Sequence, residues 1–254
     1  MATIGIFDSG VGGLSVFREI RKILPEENYI YYSDSANCPY GGRSEDFIID
    51  RCREITDFLL SEGADIIVVA CNTATAAAIK TLRAEYPVKF IGMEPAIKPA
   101  AQMTRTGVVG VLATAGTLNS AKYLRHKEKY ASDIQIAEHV GKGFVELVEK
   151  GITTGPEAIS TVRGSLEPLI NAGADTIVLG CTHYPFLTEA IQEAGAEIAK
   201  DKTLQIIDPA PAIAKRLLEV MNEEGIELNH DKGSVVLHTS GNKDILQRFY
   251  DSLV

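Results

Sequence analysis

Nine residues, Ala64-Asp65-Ile66-Ile67-Val68-Val69-Ala70-Cys71-Asn72, return 110 positions later as Ala174-Asp175-Thr176-Ile177-Val178-Leu179-Gly180-Cys181-Thr182. An apolar run of this length, bounded by polar residues, marks a strand covered on both faces, as in a parallel sheet. In open α/β sheets, ligands sit at the carboxyl ends of such strands. Each copy therefore sets a cysteine where a ligand is expected. A second pair of segments, residues 5–15 and 110–120, aligns at nearly the same offset, so two halves of similar design are expected.

The rest of the chain reads as alternating strands and helices. Residues 3–7 form a strand, 8–13 a glycine-rich turn, and 14–24 an amphipathic helix stopped before Pro25. Residues 28–33 form a strand, 34–42 a loop broken by Pro39 and paired glycines, and Ser44 caps a helix to about Gly63. After the strand ending at Cys71 come a helix at 72–85 and a strand at 88–93. The cycle restarts with a strand at 107–113, a turn at 114–116, a helix at 119–130 and a strand at 134–137. Helices at 144–150 and 156–172 precede the strand ending at Cys181, followed by a strand at 204–207, a helix at 209–224, a strand at 234–239 and a helix at 244–253. This alternation predicts an α/β fold of two pseudo-symmetric domains, each a mostly parallel sheet flanked by helices with right-handed crossovers. The active site is expected in the interdomain cleft.

Charge and cysteine usage narrow the function. A formal net charge of -9 in 254 residues argues against a general binder of nucleic acid or anionic membrane, which needs a basic face. No run of roughly 18 apolar residues and no basic, apolar leader is present, which predicts a cytoplasmic protein. Cys38, Cys52, Cys71 and Cys181 have neither CxxC nor metal-ligand spacing, so free thiols and no metal site are expected. Cys52 reads as helix core and Cys38 as a loop thiol near the site.

The segment Asp8-Ser9-Gly10-Val11-Gly12-Gly13 follows a strand and opens a helix, so its amides can face an anion; it lacks a Walker lysine, and a plain tight turn is the less favoured alternative. Cys71-Asn72-Thr73 and Cys181-Thr182-His183 each put a thiol at a strand-to-helix junction, where a helix dipole favours thiolate. Either cysteine alone is readily a small core residue. Two at equivalent positions suit a different chemistry: one thiolate takes a proton from a tetrahedral carbon and the other thiol delivers one to its opposite face. His183 can poise Cys181. Glu146 and Glu149 share one helical pattern and periodicity does not separate them from each other or from solvated charge. The Pro39-Tyr40-Gly41-Gly42 loop offers backbone amides to a carboxylate.

Taken in order, the segments Ile-Phe-Asp-Ser-Gly-Val-Gly-Gly-Leu-Ser, Tyr-Tyr-Ser-Asp-Ser-Ala-Asn-Cys-Pro-Tyr-Gly, Val-Ala-Cys-Asn-Thr-Ala-Thr-Ala, Phe-Val-Glu-Leu-Val-Glu-Lys-Gly and Leu-Gly-Cys-Thr-His-Tyr-Pro-Phe-Leu resemble the glutamate racemases over nearly the whole chain. The resemblance implies a cofactor-independent isomerase that interconverts L- and D-glutamate for peptidoglycan synthesis. It makes Cys71 the thiol that deprotonates D-glutamate and Cys181 the one that deprotonates L-glutamate, with Asp8, Glu149 and His183 assisting. Within the helical pair it selects Glu149, through the Leu-Val-Glu-x-Gly run. Ser9, Pro39, Tyr40, Gly41, Asn72, Thr73 and Thr182 match substrate-binding positions, and Thr114, Thr117 and Ser120 match a second polar turn. The implied domains are 1–96 with 208–254, and 97–207, and a homodimer with glutamate as the small-molecule partner is expected.

Without an imine to spread charge, the α-proton of an amino acid is barely acidic. No lysine lies in these motif segments other than Lys150, which adjoins Glu149, so no Schiff-base cofactor is expected. Desolvation and neutral donors such as Asn72, Thr73 and Thr182 must carry the stabilisation. The alternatives are an aspartate or hydantoin racemase of the same superfamily, a non-catalytic amino-acid binder, and a single-cysteine hydrolase.

Overall fold

A computed structural model describes residues 2–130, 132–200 and 204–253. Chain contacts divide it into two compact units, Met1–Met93 with Ala210–Val254, and Glu94–Pro209.

The first unit begins with β1 (Thr3–Asp8), α1 (Leu14–Ile23), β2 (Asn28–Ser33), α2 (Glu45–Ser61), β3 (Ile66–Val69), α3 (Asn72–Glu85) and β4 (Lys89–Gly92). The second runs α4 (Ile97–Met103), β5 (Val108–Ala113), α5 (Ala115–Leu118), α6 (Ala121–Tyr130), β6 (Gln135–Val140), α7 (Phe144–Glu149), α8 (Gly155–Asn171), β7 (Thr176–Gly180), α9 (Thr188–Ala199) and β8 (Gln205–Ile207). The chain then returns to the first unit with α10 (Ala210–Glu223), β9 (Val235–Thr239) and α11 (Lys243–Asp251).

Both sheets are wholly parallel, in the orders β4-β3-β1-β2-β9 and β6-β5-β7-β8. The interior strand β3 is Ile-Ile-Val-Val with every residue buried, because helices cover both faces and leave no solvent side for a polar residue. β7 is likewise fully buried.

The internal repeat extends to register and packing. Gly5 of β1 pairs with Ile67 of β3, and Gly110 of β5 pairs with Ile177 of β7. A Cβ at Gly5 would meet Ala64 Cβ at 3.0 Å and Leu59 Cδ1 at 3.3 Å. At Gly110 it would meet Ile177 Cδ1 at 2.5 Å, Leu169 Cδ1 at 3.2 Å and Ala174 Cβ at 3.3 Å. Equivalent helices thus press on equivalent glycines, and α2 and α8 are both 17 residues long. Asp65 accepts Thr3 N at 2.8 Å; its repeat partner Asp175 accepts Thr104 Oγ1 at 2.6 Å and the amides of Arg105 and Thr106 at 2.8 and 3.1 Å.

Three local expectations are corrected. The turn at 114–116 is a one-turn helix, α5, because Thr114 caps it by accepting Thr117 N at 3.2 Å. Helices α4 and α9 occupy stretches to which the sequence pattern assigns none; Pro99 in the first turn of α4, and Pro185 and Gly195 around α9, imitate breakers. The loop at 34–42 contains two short 3-10 turns, Ser35–Asn37 and Tyr40–Gly42.

Candidate active site

In the first unit, β3 ends two residues before Cys71, which keeps extended geometry and caps α3: its Sγ accepts Ala74 N at 3.4 Å. Sulfur therefore sits at the positive end of a 14-residue helix, where a thiolate is favoured. The thiol reaches Ser9 Oγ at 3.7 Å, and the Ser9 hydroxyl reaches Asp8 Oδ1 at 3.5 Å. Cys71, Ser9 and Asp8 are all buried. Asp8 Oδ2 also accepts Gly13 N at 2.8 Å and Gly10 N at 3.4 Å. Two amides of the glycine turn thus take an internal carboxylate where an external anion is expected from sequence. Gly13 has no room for a side chain, since its Cβ would lie 2.6 Å from Asp8 Cβ.

The second unit treats its cysteine differently. Cys181 is not followed by an α-helix: a 3-10 turn, Tyr184–Leu187, intervenes and α9 opens only at Thr188. The helix-dipole expectation holds for Cys71 and fails for Cys181, because Pro185 sets a tight turn in place of a regular helix. An imidazole stands in for the dipole. Cys181 Sγ is 3.9 Å from His183 Nδ1, and His183 Nε2 is 2.7 Å from Glu149 Oε1. His183 is buried and Glu149 half-buried at the end of α7, whereas Glu146 is exposed. With a carboxylate on one ring nitrogen, the other can pass a proton to or from sulfur. Burial, followed by the nearby Cys181 and Glu146, pushes the Tyr184 phenol well above its usual range, so it stays neutral beside the thiol.

Other expected positions take varied environments. Asn72 opens α3 and is buried, and its Oδ1 has no hydrogen-bond partner, a state that costs about 1–3 kcal/mol until a donor arrives. Thr73, Thr117 and Thr182 are buried. Thr114 Oγ1 donates to Thr117 Oγ1 at 3.0 Å, and Ser120 Oγ donates to Thr117 O at 2.8 Å. Pro39 is exposed and Gly41 half-buried, but Tyr40 is buried with its hydroxyl donating to Asp34 Oδ2 at 2.6 Å. Burial and then Asp34 push that phenol far above its usual range, so its hydroxyl stays protonated and committed to Asp34. Cys52 lies on the core-facing side of α2, where burial raises its pKa and leaves it inert.

Sequence reasoning missed Asp34 and its partners Arg51 and Ser240. Asp34 shows only as a turn-former, and Ser240 lies 206 positions from it, so no local pattern links them.

Two α/β units, each with a strand-end thiol backed by its own polar contacts, fit the racemase class of isomerases. The family profile of Asp/Glu/hydantoin racemases matches residues 4–217, and the chain belongs to that family. It is 47% identical over 223 residues to the glutamate racemase of Ectopseudomonas mendocina, covering 87% of this chain and 83% of that one. Among solved structures it is similar to a glutamate racemase isoform of Bacillus anthracis, with TM-score 0.86, 30% identity, and coverage of 99% and 93% of the two chains. It is also similar to the Escherichia coli glutamate racemase in complex with L-glutamate and the activator UDP-MurNAc-Ala, with TM-score 0.83, 33% identity, and coverage of 98% and 95%. No described helix is long and apolar enough to cross a membrane.

Proposed function

We propose that the protein interconverts L- and D-glutamate by a two-thiol proton transfer, supplying D-glutamate for peptidoglycan synthesis. The observation that carries this reading is the pair of built relays, Cys71–Ser9–Asp8 and Cys181–His183–Glu149, at repeat-equivalent strand ends. Cys181 takes the α-proton of L-glutamate, passing charge toward His183 and Glu149, while the Cys71 thiol protonates the opposite face; the roles reverse from D-glutamate. The vacant Oδ1 of Asn72 accepts from the substrate α-ammonium, with Thr73 and Thr182 as neutral donors to its carboxylates. Ser9, Pro39, Gly41, the backbone of Tyr40, Thr114 and Thr117 complete the binding groups. The enzyme works in the cytoplasm as a homodimer, and light scattering of the purified protein checks the dimer.

The test is incubation with L-glutamate and L-aspartate in deuterium oxide, followed by circular dichroism and by loss of the α-proton signal in NMR. Glutamate should lose both its optical activity and its α-proton. Loss of both with aspartate and neither with glutamate would move the assignment to an aspartate racemase.

A further inference from the structure

Directly after β2, Asp34 accepts six hydrogen bonds on its carboxylate, and none of the proton-transfer steps uses it. It is wholly buried. Oδ1 accepts Asn37 Nδ2 at 3.0 Å, Arg51 Nη2 at 2.9 Å and Ser240 Oγ at 2.7 Å. Oδ2 accepts Asn37 Nδ2 at 3.1 Å, Tyr40 Oη at 2.6 Å and Arg51 Nε at 3.0 Å. A buried carboxylate without a counter-charge is strongly disfavoured, and here the two-pronged guanidinium contact supplies it. The hydrogen-bonding capacity of both oxygens is spent, so Asp34 acts on its neighbours and not on a ligand.

Three separate parts of the first unit meet at this carboxylate. Arg51 arrives from α2 and also meets Glu54. Ser240 arrives from the end of β9: its amide donates to Ser33 O at 3.1 Å, prolonging the β2–β9 pairing, and its Oγ accepts Ala36 N at 3.1 Å. Gly241 follows so closely that a Cβ there would lie 2.8 Å from Ser35 Cβ. The third part is Tyr40, flanked by the loop positions that the reading above assigns to substrate. The loop is thereby held from α2 on one side and from the returning carboxyl-terminal segment on the other.

We propose that Arg51 and Ser240 are positioning residues for substrate binding. Acting through Asp34, they fix Tyr40 and with it the backbone of residues 39–41 in the conformation that receives a substrate carboxylate, an inference that rests on the glutamate-racemase reading. A loop ordered before binding adds no ordering cost at binding. Releasing the clamp should therefore weaken binding of ground state and transition state alike, which raises KM and leaves kcat unchanged.

The experiment compares the full-length wild type with Ser240→Ala, Ser240→Thr, Tyr40→Phe and Arg51→Lys in steady-state racemisation of both glutamate enantiomers, with thermal midpoints in parallel. Ser240→Ala and Tyr40→Phe should raise KM about three- to tenfold from either enantiomer with kcat within about twofold. Ser240→Thr, which keeps the hydroxyl, should return KM toward wild type, and Arg51→Lys, which keeps charge but loses the fork, should fall between. Unchanged KM in both Ser240→Ala and Tyr40→Phe would overturn the proposal. So would a loss confined to kcat, or KM changes that follow a fall in thermal midpoint and are not reversed by Ser240→Thr. A wild type that racemises no glutamate would overturn the functional reading itself, and with it this inference, and is distinguished by that control.

Discussion

At the scale of single residues, the two thiols share a place in the repeat and differ in how they are poised. Cys71 has a helix terminus and a hydroxyl–carboxylate pair; Cys181 has an imidazole–carboxylate pair. Replacing either by Ser should lower racemisation by about 10²- to 10⁴-fold, with the far-ultraviolet spectrum unchanged. The difference between them shows in isotope effects. Because the enantiomers are equally stable, His183→Asn must lower kcat/KM equally in both directions. By slowing the step that Cys181 performs, however, it should raise the primary deuterium effect with L-[2-²H]glutamate and bring that with D-[2-²H]glutamate toward unity. A symmetric effect would separate His183 from Cys181. Asp34 gives a pH prediction. Burial raises its pKa, but hydrogen bonds from Arg51, Tyr40, Ser240 and Asn37 outweigh that and hold it below the usual range. Its stabilisation is present above the unfolded pKa, near about 4, and is lost as pH falls through the lower folded value. The denaturant midpoint of wild type should exceed that of Asp34→Asn at neutral pH, and the gap should close below about pH 4.

At the scale of elements, the strands and most helices were legible because parallel strands covered on both faces are near-continuously apolar, as in β3 and residues 177–179 of β7. Helices α4 and α9 were not, since Pro99, Pro185 and Gly195 are tolerated in first turns and packed interiors yet read as breakers. The repeat also carries a stability contrast. Asp175 ties Thr104, Arg105 and Thr106 to the start of β7, while Asp65 ties Thr3 alone by the bonds described. Asp175→Asn should cost about 1–2 kcal/mol, and more than Asp65→Asn, in thermal or denaturant unfolding.

At the scale of the whole molecule, the first unit is built from both ends of the chain. α10 packs on α1 and buries Ile213, Leu217 and Met221, β9 completes the sheet beside β2, and Tyr250 of α11 accepts Arg21 Nη1 at 2.9 Å. Deleting residues 210–254 should therefore expose the apolar face of α1, abolish racemisation and leave the product aggregation-prone, which size-exclusion chromatography would register. The second unit is one continuous stretch with its own sheet and core, so its far-ultraviolet signal should survive better when produced alone.

The sequence by itself determined the duplicated strands, their parallel class and the placing of a cysteine at each strand end, because burial on both faces and strand-end position are local properties of the chain. Only the tertiary structure decided how each thiol is poised and what holds the loop at Tyr40. His183 with Glu149, and Asp34 with Ser240, are brought together by folding across distances at which sequence carries no periodic signal, and hydrogen bonds, unlike apolar runs, depend on where two separate segments arrive.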